Sequence, residues 1–156
     1  MYYTELDTQL GRVIIAAEDD GLTGLWFEGQ QYFPDITGWE RKNDYPIFVN
    51  VEKWLEIYFS GGQPELNFKL APKGTAFQEQ VWNELLKIPH GAYNTYGGIA
   101  KRLGSSPRAV GNAVGHNPIS LIIPCHRVIG SNRSLTGYAG GLERKKKLIA
   151  LEGITL

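Results

Sequence analysis

The residues best suited to chemistry lie in Pro124-Cys125-His126-Arg127-Val128, where the only cysteine of the 156-residue chain sits beside a histidine and an arginine. A thiol becomes a strong nucleophile when a base takes its proton and nearby positive charge stabilises the thiolate. The preceding stretch, Ile119-Ser120-Leu121-Ile122-Ile123, is largely apolar and bounded by Pro118 and Pro124. It predicts a buried extended segment that delivers Cys125. Adjacent side chains of an extended chain point to opposite faces, so a water relay between Cys125 and His126 is expected rather than direct contact. The residue types leave a second reading open, because a lone cysteine after an apolar run is commonly a core residue. A single cysteine excludes an internal disulfide and any CxxC redox or zinc site.

Just upstream the pattern predicts two short helices. Ile99 and Leu103 form an i,i+4 apolar pair, Gly104 ends that helix, Ser106 can cap the next one, and Pro107 suits its first position. Val110 and Val114 give the second helix its inward face. This is the plan of a helix-turn-helix, and also of a simple packing hairpin. Ala109, Gly111, Ala113 and Gly115 leave the second helix nearly smooth, with little reach for base edges in a wide major groove. A smooth helix led by Arg108 suits the narrower minor groove instead. Its glycines point to close approach of another backbone, either DNA or a neighbouring helix.

The formal net charge of zero hides a split. Residues 1–95 carry seven Lys/Arg against fourteen Asp/Glu, whereas residues 96–147 carry nine Lys/Arg against Glu143 alone. Such asymmetry suits a polyanion partner for the basic half, although basic stretches are also ordinary solvated faces. No apolar run approaches the ~18 residues of a membrane span. The first residues lack a basic-then-apolar secretory pattern. A cytoplasmic, metal-free monomer that neither spans nor binds a membrane is therefore expected.

The elements that must position these groups fall into two parts. Segments 3–6, 12–17 and 22–27 are β-rich, and Asp20-Gly21 marks a hairpin. Residues 28–47 show no period and are expected to be loop. Val51, Trp54, Leu55, Tyr58 and Phe59 recur at helical spacing before Gly61-Gly62, and residues 66–70 alternate like a strand. Thr75 and Gln78 form a capping box for a helix with Phe77, Val81, Leu85 and Ile88 on one face. A sheet-plus-helix domain over 1–72 and a helical domain over 73–156 are expected, giving an α+β protein.

Taken together, these motifs resemble one family. Pro124–Val128 is similar to the PCHR active-site motif of the O6-alkylguanine-DNA alkyltransferases (methylated-DNA–protein-cysteine methyltransferases). Arg108-Ala109-Val110-Gly111-Asn112-Ala113 resembles that family's recognition-helix segment, and Asn117-Pro118 stands at its distance before the cysteine. Residues 136–142 resemble its substrate-pocket loop and residues 148–153 its final helix. Phe77–Trp82 and Ile88–Gly91 are similar to the opening of its C-terminal domain. The likeness is close over 75–153 and looser before. The turn Gly104-Ser105-Ser106-Pro107 is shorter than in many members.

The resemblance implies an N-terminal antiparallel-sheet (RNase H-like) part and a C-terminal domain carrying a helix-turn-helix. It further implies repair of O6-alkylguanine, and of O4-alkylthymine, in double-stranded DNA by one irreversible transfer to Cys125 after the nucleotide is flipped. Under it His126 deprotonates Cys125 through a water, Glu152 orients His126, Asn117 braces the turn before the cysteine, and Tyr96 pushes the flanking phosphate and assists the base. The carbonyls of Cys125 and Val128 and the N–H groups of Tyr138 and Ala139 would meet the base. Arg108 would fill the gap in the duplex, and Thr95, Ala109, Gly111 and Ser131 would lie against DNA. No cofactor is implied. Some relatives bind zinc through N-terminal cysteines, which this chain lacks, so His90 and His116 are expected to be packing or surface residues. The rival readings are a non-catalytic alkyltransferase-like lesion binder, a plain helix-turn-helix regulator, and a cysteine hydrolase.

Overall fold

A computed structural model describes residues 1–156 throughout. The β-rich N-terminal segments form strands β1 (Tyr2–Thr8), β2 (Gly11–Glu18) and β3 (Gly21–Phe27), paired antiparallel in sequence order. The β2–β3 turn is made by Asp19 and Asp20, with Asp19 in the left-handed region at φ 55°. Gly21 is thus the first strand residue rather than the turn glycine. A Cβ there would lie 2.7 Å from that of Ala71, so its bare backbone admits the neighbouring chain.

Two differences from expectation concern this sheet. Residues 28–47 are not all loop, because Glu40–Arg41 form β4, parallel to β1. Only Lys69–Leu70 of the expected strand 66–70 join the sheet, as β5, parallel to β3. The antiparallel centre therefore has short parallel edges, in the order β4-β1-β2-β3-β5. Each edge makes only two register pairs, too few for a period of its own to mark where the pairing begins and ends. Helix α1 (Pro46–Phe59) begins five residues before Val51, with Pro46 in its first turn and no side-chain cap to announce it.

The helical half contains α2 (Ala76–Leu86), a two-residue strand β6 (Asn94–Thr95), α3 (Tyr96–Leu103), α4 (Pro107–Gly115), β7 (Val128–Ile129) paired parallel to β6, and α5 (Leu142–Glu152). The capping box of Thr75 and Gln78 is formed in full. Gly104 ends α3 in the left-handed conformation, and Ser106 Oγ accepts from Ala109 N at 3.1 Å to start α4. Ser106→Ala should cost about 1 kcal/mol of stability through loss of this cap, read from denaturant midpoints at unchanged slope. Trp82 Nε1 donates to the Ala113 carbonyl at 2.9 Å and fixes α4 on α2.

One hydrophobic cluster runs through both halves, from Val13, Leu25 and Phe27 through Tyr58 and Trp82 to Val110, Ile123 and Leu148. Strand β3 is buried along its whole length. On its outer side Leu25 N donates to the Pro118 carbonyl at 2.8 Å, and Ser120 N donates to the Leu25 carbonyl at 2.9 Å. The segment leading to Cys125 is thereby pinned to the sheet.

Candidate active site

The segment before the cysteine is not extended. Ile123 N donates to the Ile119 carbonyl at 3.1 Å, Ile122 N to the Ser120 carbonyl at 2.8 Å, and Leu121 has φ 71°. Asn117 holds this tight turn from inside. Its Nδ2 donates to the Ile123 carbonyl at 2.8 Å, and its Oδ1 accepts from Ile119 N at 3.0 Å. The apolar side chains still face the core, so burial was legible and the backbone path was not. Cys125, His126 and Arg127 then form one 3-10 turn. The expectation that Cys125 and His126 project to opposite faces of a strand is replaced by a helical offset.

The two ring nitrogens of His126 are treated differently. Nε2 lies 2.5 Å from Glu152 Oε2, on the last residue of α5, whereas Nδ1 is buried with no partner in the protein. A carboxylate at hydrogen-bond distance fixes the proton on Nε2 and leaves Nδ1 as a free acceptor. Neither nitrogen bonds the thiol directly. Burial pushes the His126 imidazole down and Glu152 pulls it up, with the net shift downward. His126 is therefore neutral near pH 7 and able to take a proton.

Cys125 is also buried, at 3% exposure. Burial pushes its thiol up, opposed by Asn117, by the charge of Lys145, and by backbone N–H groups of the turn. The resting group is a neutral thiol. Thiolate forms only when its proton is withdrawn, which protects the cysteine from casual oxidation.

Glu152 would be raised by burial, yet His126, Arg127 and Tyr58 hold it well below the ordinary carboxylate range. Arg127 Nε donates to its Oε1 at 2.8 Å and Nη2 to its Oε2 at 3.2 Å, while Arg127 Nη1 donates to the Ile88 carbonyl at 2.6 Å. Gly91 N adds a 3.2 Å bond to Oε1. Five donors thus surround one buried carboxylate.

Sequence reasoning missed three members of this cluster. The sequence offers Arg127 as a charge beside the thiol, whereas its guanidinium pairs with Glu152 instead. Tyr58 reads in the sequence as one of the inward positions of α1 at helical spacing. Lys145 looked like part of a surface run, but it is fully buried and donates to the carbonyls of Val128 at 2.6 Å and Thr136 at 2.9 Å. Its spacing to Leu148, Ile149 and Glu152 marks the inward face of α5, and that signal was available. Burial draws Lys145 down to about 8, against the pull of Cys125.

Residues 76–154 match the family described as 6-O-methylguanine DNA methyltransferase, DNA binding domain, and residues 1–72 match its ribonuclease-like domain. The chain belongs to the 6-O-methylguanine DNA methyltransferase family. The methylated-DNA–protein-cysteine methyltransferase of Haemophilus influenzae is 43% identical to it, over 99% of this chain and 87% of that protein. The enzyme of the same name from Methanosarcina acetivorans is 43% identical, over 98% of this chain and 99% of the relative. The crystal structure of Mycobacterium tuberculosis OGT in complex with DNA matches with a TM-score of 0.91 at 40% identity, covering 98% of this chain and 93% of that one.

In this member of the 6-O-methylguanine DNA methyltransferase family, Tyr96 opens α3, and its hydroxyl donates to the Thr136 carbonyl at 2.7 Å. Burial and the nearby Cys125 push its phenol up to about 12. The Val128 carbonyl accepts from Lys145, and the Cys125 carbonyl accepts from Val128 N, so each oxygen retains one lone pair for a further donor. Tyr138 is buried with its hydroxyl unpartnered, and the Ala139 carbonyl accepts from Gln31 N at 3.1 Å. Thr95 caps α3 by accepting from Gly98 N at 2.9 Å. Ser131 is exposed beside the N-terminus of α3, where a Cβ on Gly97 would approach its Oγ to 3.3 Å.

Arg108 is exposed in the first turn of α4, on the same helix as half-buried Ala109 and Gly111. A Cβ on Gly111 would sit 3.8 Å from the Tyr96 ring, an ordinary contact, and one on Gly115 would meet nothing within 4 Å, so packing inside the protein requires neither glycine. The basic surface is smaller than the sequence count suggests. Arg127 and Lys145 are buried, Arg102 is paired with Glu84, and Arg144 lies over the Phe27 ring while donating to the Leu10 and Gly140 carbonyls. Lys101, Arg108, Arg133 and Lys147 are the exposed cations of this half with no carboxylate partner. His116 stacks on Tyr32 at 3.9 Å, and His90 sets its ring edge-on to Tyr58. No helix is long and apolar enough to cross a membrane.

Proposed function

We propose that this chain repairs DNA by moving an alkyl group from O6 of a guanine, or O4 of a thymine, in duplex DNA onto Cys125. The observation that carries the reading is a lone buried thiol beside a histidine whose Nε2 is locked on Glu152 and whose Nδ1 is free. This is the orientation logic of a nucleophile–histidine–carboxylate triad, with a water between sulfur and ring. The reacting carbon is inaccessible within a base stack, so the damaged nucleotide is rotated out into the protein. Arg108 takes its place in the duplex, while Thr95, Ala109, Gly111 and Ser131 lie along the strand.

The thiol proton passes through water to His126 Nδ1, and the imidazolium formed is stabilised by Glu152. Sulfur then attacks the alkyl carbon, the carbon–oxygen bond breaks, and its electron pair leaves with the base. Backbone N–H groups at Tyr138 and Ala139 meet the developing charge on O6, and Tyr96 assists at the base. The carbonyls of Cys125 and Val128 accept the exocyclic amine. The base regains a proton, which balances the one lost by the thiol. Thiol exchange does not reverse a thioether, so each monomer acts once and needs no cofactor. A thiol that must stay reduced until use suits the cytoplasm.

Intact-protein mass after incubation with a duplex containing O6-methylguanine tests the reading. A gain of one methylene group mapped to Cys125, absent in Cys125→Ser, is the expected result. Tight lesion binding without any gain would place the chain among non-catalytic lesion binders.

A further inference from the structure

The reaction centre described so far is drawn from the C-terminal half, yet one group in contact with it comes from the other half. Tyr58 lies on the last turn of α1 and is 1% exposed. Its hydroxyl donates to Glu152 Oε2 at 2.6 Å, and the hydroxyl oxygen lies 3.3 Å from His126 Nε2. The geometry points to Tyr58 as a positioning residue of the transfer reaction, holding the Glu152 carboxylate that orients His126. The inference rests on the proposed transfer to Cys125 and adds to it a role for the N-terminal half.

Three observations support it. Phenylalanine would fill the same place in the core, where the ring stacks on Trp54 at 5.2 Å and 10° and meets Phe59 edge-on. The hydroxyl is therefore not needed for packing. Second, it bonds the same oxygen that His126 uses, so it bears directly on the His126 interaction. Third, burial and the Glu152 charge hold the phenol well above its usual range, so Tyr58 stays protonated and donates without relaying a proton.

A carboxylate that spends a lone pair on Tyr58 pulls less strongly on the His126 proton. Tyr58 thus helps keep His126 neutral while leaving the carboxylate in place for the imidazolium that forms during transfer. The groups facing His126 and this carboxylate are Glu152 and Lys145 from α5, Tyr58 from α1, Cys125 and Arg127 from its own turn, and His90 and Gly91 N from the loop after α2. Removing the hydroxyl removes only a donor to the carboxylate, so His126 should become easier to protonate.

The test is the single-turnover rate of methyl transfer from an O6-methylguanine duplex against pH, for wild type, Tyr58→Phe, Glu152→Gln and the double variant. In Tyr58→Phe the acid-side fall in rate should move up by about one pH unit, a roughly tenfold loss below it, with duplex affinity unchanged. That shift should vanish in the Glu152→Gln background, because Tyr58 acts through the carboxylate. A second readout, NMR titration of the His126 ring in the free protein, should move in the same direction. An unmoved acid limb and ring titration, or the same shift without Glu152, would overturn the role of Tyr58. Wild type that gains no methyl group would overturn the transfer itself, and this inference with it.

Discussion

Glu152→Gln should slow alkyl transfer by about 100-fold or more while leaving duplex affinity nearly unchanged, since general-base assistance is commonly worth ~10²–10⁴. Glu152 bonds His126, Arg127, Tyr58 and Gly91 and no residue of α3 or α4. When His126 takes the thiol proton, a positive ring forms at a site with 0% side-chain exposure, and the carboxylate 2.5 Å away is what makes that charge tolerable. A neutral amide keeps an acceptor and loses the charge. The substitution also leaves the Arg127 guanidinium buried without a counter-charge. Loss of one partner of a buried pair costs about 3 kcal/mol or more, so a lower unfolding midpoint should accompany the rate loss. Single-turnover rates and duplex Kd, both measured well below that midpoint, separate the two effects. Transfer at the wild-type rate would remove Glu152 from the relay.

The second large effect belongs to DNA rather than to the thiol. Arg108→Ala should reduce transfer from a lesion duplex by about 100-fold while weakening binding to undamaged duplex only slightly. Arg108 is exposed, makes no bond within the protein, and leads a helix whose neighbours are Ala109 and Gly111. No other long side chain of α4 could occupy the gap left by a flipped nucleotide, and holding a base out of the stack costs a few kcal/mol. Its contribution to plain duplex binding is one cation among several, so the salt slope should fall by only about one. Equal losses in binding and in transfer would assign Arg108 to phosphate contact and not to insertion.

The pH behaviour of the wild type follows from the same cluster. His126 must be neutral to accept the proton, and its folded value is shifted down by burial despite Glu152. Transfer should therefore hold through neutral pH and fall on the acid side, below the ordinary histidine range.

Much of the fold was legible because its signals are local. The β-rich runs of β1 to β3, the capping box at Thr75, the glycine stop at Gly104 and the Ser106-Pro107 start each depend on residues a few positions apart. Of the edge strands, β5 was legible only as part of a longer alternating stretch and β4 not at all, since two-residue pairings carry no period. The start of α1 at Pro46 lacked a side-chain cap, and the turn through Leu121 is dictated by Asn117 bonding carbonyls that any sequence possesses.

The sequence by itself determined which side chains are available: one thiol, a histidine and an arginine beside it, a glutamate closing the last helix, and a smooth helix led by Arg108. Only the tertiary structure decided how these groups are charged and paired. Tyr58 meets Glu152 across 94 residues of chain, and Arg127 meets it across 25. Neither pairing leaves a spacing that a pattern could report. The basic count of the second half divided in the same way, with Arg127 and Lys145 turned inward and Arg108 left outside. The physical reason is that proton affinity and ion pairing depend on burial and on distance in space, and both arise only when helix α1 and the sheet close over the cysteine turn.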